Sequence, residues 1–119
     1  MGAVMRSIII HSEDSNLRTL LRALLASSEV EIVEARSRQE LTKRCRTHRF
    51  DKVITDDVRM FMNGSDIIGE IRLKERNTPI VVLSHDVSEH SVLSLLEEGV
   101  TEFLSLPIGV ERLRKKLIK

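Results

Sequence analysis

Apolar positions along the chain switch repeatedly between short unbroken runs and helical spacing. Ile8, Ile9 and Ile10 form one such run, as a strand buried on both faces requires. Leu17, Leu20, Leu21, Leu24 and Leu25 then recur at intervals of three and four. That spacing predicts an amphipathic helix, with Asp14 or Ser15 placed to accept from its first free N–H groups. Residues 30–33 (Val-Glu-Ile-Val) are rich in β-branched side chains and predict a second strand. Ser37 and Glu40 have the spacing of a capping box, which predicts a helix from there to about Arg49. Residues 53–55 read as a third strand, followed by a loop from Asp56 to Gly64. A helix from Ser65 turns Ile67, Ile68 and Ile71 inward, and Asn77, Thr78 and Pro79 end it. Residues 80–83 are the fourth strand. Val92, Leu93, Leu95 and Leu96 lie on a helix that Gly99 can terminate. Residues 103–106 are the fifth strand, broken by Pro107, and residues 110–118 form a last helix. Five strands alternating with five helices predict right-handed crossovers, and so a parallel sheet with helices on both faces.

Composition narrows the class. The chain has 119 residues, with 41% apolar and 31% charged side chains, which suits one globular domain spanning 1–119 and excludes a disordered chain. The net charge of +1 gives no sign of nucleic-acid or membrane binding. The single cysteine, Cys45, excludes an internal disulfide and a cysteine-based zinc cluster; it suits a reducing cytoplasm and reads as a packing residue. No apolar run reaches the ~18–20 residues of a membrane span, and residues 1–6 lack the layout of a signal peptide. Three aromatic residues are too few for base-stacking platforms.

In an open parallel sheet, ligands bind beyond the carboxyl ends of the strands. The residues there are His11, Ser12, Glu13 and Asp14 after the first strand, and Asp56 and Asp57 after the third. Carboxylates from two strands meeting in partly dehydrated space repel one another unless a cation binds them, and Mg2+ with its preference for oxygen would do so. Asp14 is expected as a helix cap and Asp57 as a solvated side chain, leaving Glu13 and Asp56 as the candidates. Other constellations carry less. Gly64 and Gly69 have the spacing of a phosphate loop, but Glu70 and Ile71 stand where Lys and Ser or Thr are needed. The histidines (His11, His48, His85, His90) show no metal-ligand pairing and are expected as surface or packing residues. Ser84 and His85 are adjacent on a strand and point to opposite faces, so they form no nucleophile–base pair. Between Arg36 and Lys52 lie seven basic residues and two acidic ones, expected as a solvated helix face.

The segment Phe50-Asp51-Lys52-Val53-Ile54-Thr55-Asp56, followed at the family's spacing by Met62-Asn63-Gly64, resembles the receiver domain of two-component response regulators. The likeness runs from about Arg6 to Leu117. It implies a flavodoxin-like (βα)5 three-layer sandwich with parallel strand order 2-1-3-4-5; separately, the Leu106–Pro107 bond can be cis, as X-Pro bonds sometimes are at tight turns. It also implies phosphorelay signalling. Asp56 would be the phosphoacceptor, Glu13, Asp56 and Val58 would hold Mg2+, and Ser84 and Phe103 would be the switch hydroxyl and aromatic. The domain would be a switch and not an enzyme, beyond weak self-catalysed phosphotransfer and autodephosphorylation. Its partners would be a sensor histidine kinase or phosphotransfer protein and an output domain or downstream protein. The fourth helix, fifth strand and fifth helix form the family's usual partner face, which would place His90, Phe103, Arg112 and Lys116 among the contacts and a homodimer among the partners it could serve.

The sequence departs from the family at four places. The first of the paired acids is Ser12, His85 replaces a small residue after the switch hydroxyl, Leu106 replaces the lysine before the strand-five proline, and Met60 replaces the loop proline. Losing an acid at position 12 and a base at 106 leaves the formal charge of the pocket unchanged. These departures favour an alternative expectation, a pseudo-receiver that works through protein contacts without phosphate.

Overall fold

The computed structural model describes residues 5–57, 78–85, 88, 93, 96, 97 and 99–118. The predicted helix from Ser65, most of the one around Val92, and the loop from Val58 to Gly64 lie outside these residues. The strands are β1 (Arg6–His11), β2 (Val30–Ala35), β3 (Lys52–Thr55), β4 (Ile80–Ser84) and β5 (Glu102–Ser105). They form one parallel sheet in the order β2-β1-β3-β4-β5, the order that the resemblance implied. Three helices lie wholly within the described residues: α1 (Ser15–Leu25), α2 (Arg38–Thr47) and α3 (Val110–Ile118). None among the described residues is long and apolar enough to cross a membrane.

Alternation along the strands divides the core into two layers. Ile9, Val53, Ile80 and Val82 pack with Ala35, Phe50 and Val100 beneath Leu41 and Cys45 of α2. Ile8, Ile10, Ile54, Val81, Leu83 and Leu104 pack on the other face beneath Leu21 and Leu25 of α1 and Leu113 and Leu117 of α3. Strands buried on both faces explain why the sequence shows unbroken apolar runs.

The local signals are met in detail. Asp14, not Ser15, caps α1, its carboxylate accepting from the N–H groups of Asn16 (2.9 Å) and Leu17 (3.4 Å). The Ser37 hydroxyl caps α2 by accepting from the Glu40 N–H. Gly99 has a φ of 105°, a conformation that ends a helix without the crowding a Cβ would meet. The Leu106–Pro107 bond is cis.

Three expectations are corrected. The fourth β5 pairing with β4 is Ser84 with Ser105, so β5 runs one residue earlier than predicted, and Leu106 joins only through its N–H. α2 stops at Thr47, short of Arg49. There the His48 N–H and the Thr47 hydroxyl bond back to the carbonyls of the last turn. Leu20 is exposed, because the buried stripe of α1 runs through Arg18, Leu21 and Leu25.

At the amino-terminal end of the strands, Lys52 is buried and its ammonium donates to the carbonyl of Leu117, clamping the last turn of α3. That carbonyl end carries the negative pole of the helix. Burial, reinforced by Arg6 and opposed by Glu102, holds the Lys52 pKa below its ordinary value. A group with a lowered folded-state pKa weakens the fold while charged, and the penalty vanishes as pH rises from the folded to the unfolded pKa. Urea unfolding of the wild type and Lys52→Met, compared near pH 7 and near pH 10, is expected to show the wild type gaining relative stability at the higher pH. A relative loss would contradict the assignment.

Candidate functional site

Backbone pairing carries one residue past several strand ends. The Ser12 N–H donates to Ala35 O (3.2 Å), the Asp56 N–H to His11 O (3.4 Å) and the Leu106 N–H to Ser84 O (2.8 Å). Ser12, Asp56, Ser84 and Leu106 are thereby fixed along the carboxyl edge of the sheet.

Ser12 is fully buried and Asp56 half-buried. The Ser12 hydroxyl donates to Asp56 Oδ2 at 2.7 Å and accepts from the Asp14 N–H at 3.0 Å. Arg18 Nη1 donates to the Ser12 carbonyl at 2.6 Å. Arg18 Nε in turn donates to Glu34 Oε1 at 3.2 Å, and Arg22 Nε donates to Glu34 Oε2 at 2.7 Å. The hydrogen bond from Arg22, and behind it Arg18, holds the Glu34 carboxyl below the usual carboxylate range. A polar chain thus runs from β2 through α1 to Asp56. Arg18 was not among the residues singled out from sequence. Its position on the α1 apolar stripe, three residues before Leu21, was the available signal.

A second polar group lies beside it. Arg38 grips Asp57 with Nε on Oδ2 (2.8 Å) and Nη2 on Oδ1 (3.4 Å). Asp57 is therefore ion-paired and not, as expected, a merely solvated side chain. Its N–H donates to the Thr55 hydroxyl (3.1 Å), which also bonds His11 Nδ1 (2.8 Å). His11 is almost wholly buried, and its Nε2 has no partner among the described residues. Burial lowers the His11 pKa. Asp57, Asp56 and Glu13 pull the other way, and Arg38 adds to the lowering. Those opposing effects place three carboxylates in the electrostatic neighbourhood of one imidazole.

The remaining candidates divide as follows. Glu13 is exposed, next to buried Ser12. Ser84 is buried and His85 exposed, as strand alternation requires. Phe103 is half-buried against the layer containing Ile9 and Val82, and Leu106 against the layer containing Leu83 and Leu104. Val58, Met60 and His90 lie outside the described residues. Among the described residues no three His, Cys, Asp or Glu side chains gather to hold a metal ion. Arg36, Lys43, Arg44, Arg46 and Arg49 are exposed, as the predicted basic face requires, whereas Arg38 and Lys52 are drawn into the structure.

The buried arginine should matter more than its exposed neighbour. The Arg18 side chain is 11% exposed and that of Arg22 is 48% exposed. Arg18→Met leaves the Ser12 carbonyl without its donor and is expected to cost about 2 kcal/mol in urea unfolding. Arg22→Ala should cost under about 1 kcal/mol. Equal losses would show that the inner arm of the network contributes nothing special.

Comparison with known proteins agrees with this fold. The chain is 26% identical over 113 residues to the sensory/regulatory protein RpfC of Xanthomonas campestris, covering 92% of this chain and 15% of that protein. It is also 26% identical over 113 residues to the KDP operon transcriptional regulatory protein KdpE of Escherichia coli, covering 95% of this chain and 50% of that protein. The chain therefore spans half or less of these relatives. Among solved structures, chemotaxis response regulator CheY4 of Vibrio cholerae superposes with a TM-score of 0.81 at 23% identity, covering 97% of this chain and 98% of the other. The receiver domain of sensor histidine kinase PA1611 from Pseudomonas aeruginosa, which holds a magnesium ion in its active-site cleft, gives a TM-score of 0.75 at 20% identity, covering 96% and 95%. The sequence profile of the response regulator receiver domain matches residues 8–118, and the chain belongs to that family.

Proposed function

We propose that this receiver domain accepts a phosphoryl group on Asp56 in a phosphorelay and passes the signal on as altered partner contacts. The observation that carries the reading is the Asp56 carboxylate, held at the end of β3 with Oδ2 on the Ser12 hydroxyl at 2.7 Å. Its donor would be the phosphohistidine of a sensor kinase or phosphotransfer protein. A carboxylate oxygen forms the new O–P bond as the N–P bond breaks, and the histidine nitrogen keeps the electron pair. The residues present suit a hard cation: Mg2+ is satisfied by one or two carboxylates with its remaining sites in water. Asp56 and Glu13, with Val58, would hold it, and when bound it would draw charge from the transferring oxygens. Ser84, buried at the end of β4, would take a hydrogen bond to the phosphate, and Phe103 would move with it. The output would leave through the face of β5 and α3, where Arg112 is exposed and Lys116 lies 3.9 Å from Glu102. That face is also where a second copy, an output domain or a downstream protein would bind.

One observation favours the second reading, a phosphate-independent interaction module. Leu106 packs in the apolar layer beneath α1 and α3, so position 106 offers no cation to a phosphate. Incubation with Mg2+ and acetyl phosphate separates the two. Intact-mass measurement is expected to show one added phosphoryl group on the wild type and none on Asp56→Asn. An unchanged wild-type mass at saturating reagent would leave the interaction module as the function.

A further inference from the structure

A serine at position 12 removes a charge, but it also adds something. Ser12 is fully buried and held on every polar side. Its N–H is on Ala35 O, its carbonyl takes Arg18 Nη1, and its hydroxyl accepts from the Asp14 N–H. The hydroxyl itself donates to Asp56 Oδ2 at 2.7 Å while it accepts from the Asp14 N–H. A donor fixed this way loses little entropy when it binds a carboxylate, and the contact has the length of a charge-assisted bond. Among the described residues Oδ1 has no such partner.

We propose that Ser12 is the positioning residue of the phosphoacceptor: its immobilised hydroxyl fixes the Asp56 carboxylate through Oδ2 and presents Oδ1 to the phosphoryl group. The inference rests on the phosphoacceptor reading of Asp56 and deepens it. Orientation of this kind acts on the rate of the chemical step and not on the binding of the phosphodonor. The chain from Glu34 through Arg18 anchors the Ser12 backbone, and the Asp14 N–H holds the hydroxyl oxygen.

The test compares phosphorylation by acetyl phosphate at saturating Mg2+ in the wild type, Ser12→Ala, Ser12→Cys and Ser12→Thr. Ser12→Ala and Ser12→Cys fit the buried space and lose the strong donor; Ser12→Thr retains it. The maximal rate is expected to fall about tenfold in the first two, with the half-saturating acetyl phosphate concentration unchanged. Ser12→Thr should recover most of the rate. If its extra methyl group prevents folding, the Ala and Cys variants decide alone. Thermal unfolding midpoints accompany each rate, so that a loss through misfolding is recognised. Ser12→Ala as fast as the wild type, or faster, overturns the positioning role and leaves Asp56 as the acceptor. A wild type that takes no phosphoryl group overturns both.

Discussion

The parallel pairing of β1 with β3 is the constraint on which the rest of the structure depends. Its register sets Ile8 against Lys52 and His11 against Thr55, a constant offset of 44 residues. The same offset reappears in every side-chain bond between the two segments: Ser7 N–H to Asp51, His11 to Thr55, and Ser12 to Asp56. Three polar contacts at one offset are the signature of one register. A slip by a single residue would turn each side chain to the opposite face. With β3 slipped, Asp56 would face the position of His11 or Glu13, and Val53 and Ile54 would exchange layers. The apolar layers under α2 and under α1 and α3 therefore specify the polar contact at the edge.

That register also sorts the charges. Asp57 is neutralised by Arg38, and Glu34 by Arg18 and Arg22. Each of these acids meets a guanidinium from a neighbouring helix, α2 for Asp57 and α1 for Glu34. Asp56 has a hydroxyl instead, so its charge is stabilised without being cancelled. Under the phosphoacceptor reading such a carboxylate would stay available to a cation or an electrophile, whereas Asp57 and Glu34 are already ion-paired. His11 shows the opposite solution. Burial keeps the imidazole towards its neutral form although Asp57, Asp56 and Glu13 favour the charged one. The two solutions alternate along the strand, the buried ring on the Ile9 side and the hydroxyl one residue on.

Much of this could be read before any coordinates. Unbroken apolar runs marked both-face burial, and the switches in periodicity marked the crossovers, so the sheet and its three described helices were legible. Asp14 and Ser37 were legible as caps because capping depends on a few neighbouring residues. What was hidden depends on side chains that meet across the fold. Leu20 looks as apolar as Leu21, and only the packing direction of α1 separates them. Asp57 looked solvated because its partner, Arg38, lies on a different element. Arg18 was missed because an arginine on an apolar stripe reads as an interruption, while in the fold it is buried and its head reaches the Ser12 carbonyl. His11 read as a surface or packing residue, and its bond to Thr55 exists only once two strands are paired. At position 12 the sequence showed a missing acid but not where the hydroxyl would point.

The far side of the edge gives the same lesson in a different form. A charged side chain before Pro107 would reach across the carboxyl edge, whereas Leu106 turns into the layer with Leu83 and Leu104 and ties β5 to β4 through its N–H on Ser84 O. Hydrophobic packing of that kind is insensitive to charge at Asp56, because it makes no direct electrostatic contact with it. Under the phosphoacceptor reading, one route between the acceptor and β5 among the described residues runs through Ser84, which shares its backbone with that tether. A phosphate oxygen drawing on the Ser84 hydroxyl would pull on the residue whose carbonyl holds Leu106, and the leucine would transmit the movement by packing. A route through one hydroxyl and one peptide bond is narrower than one with a lysine in parallel. The end of β4 would then carry a larger share of the signal in this chain than it does in a receiver that keeps the cation.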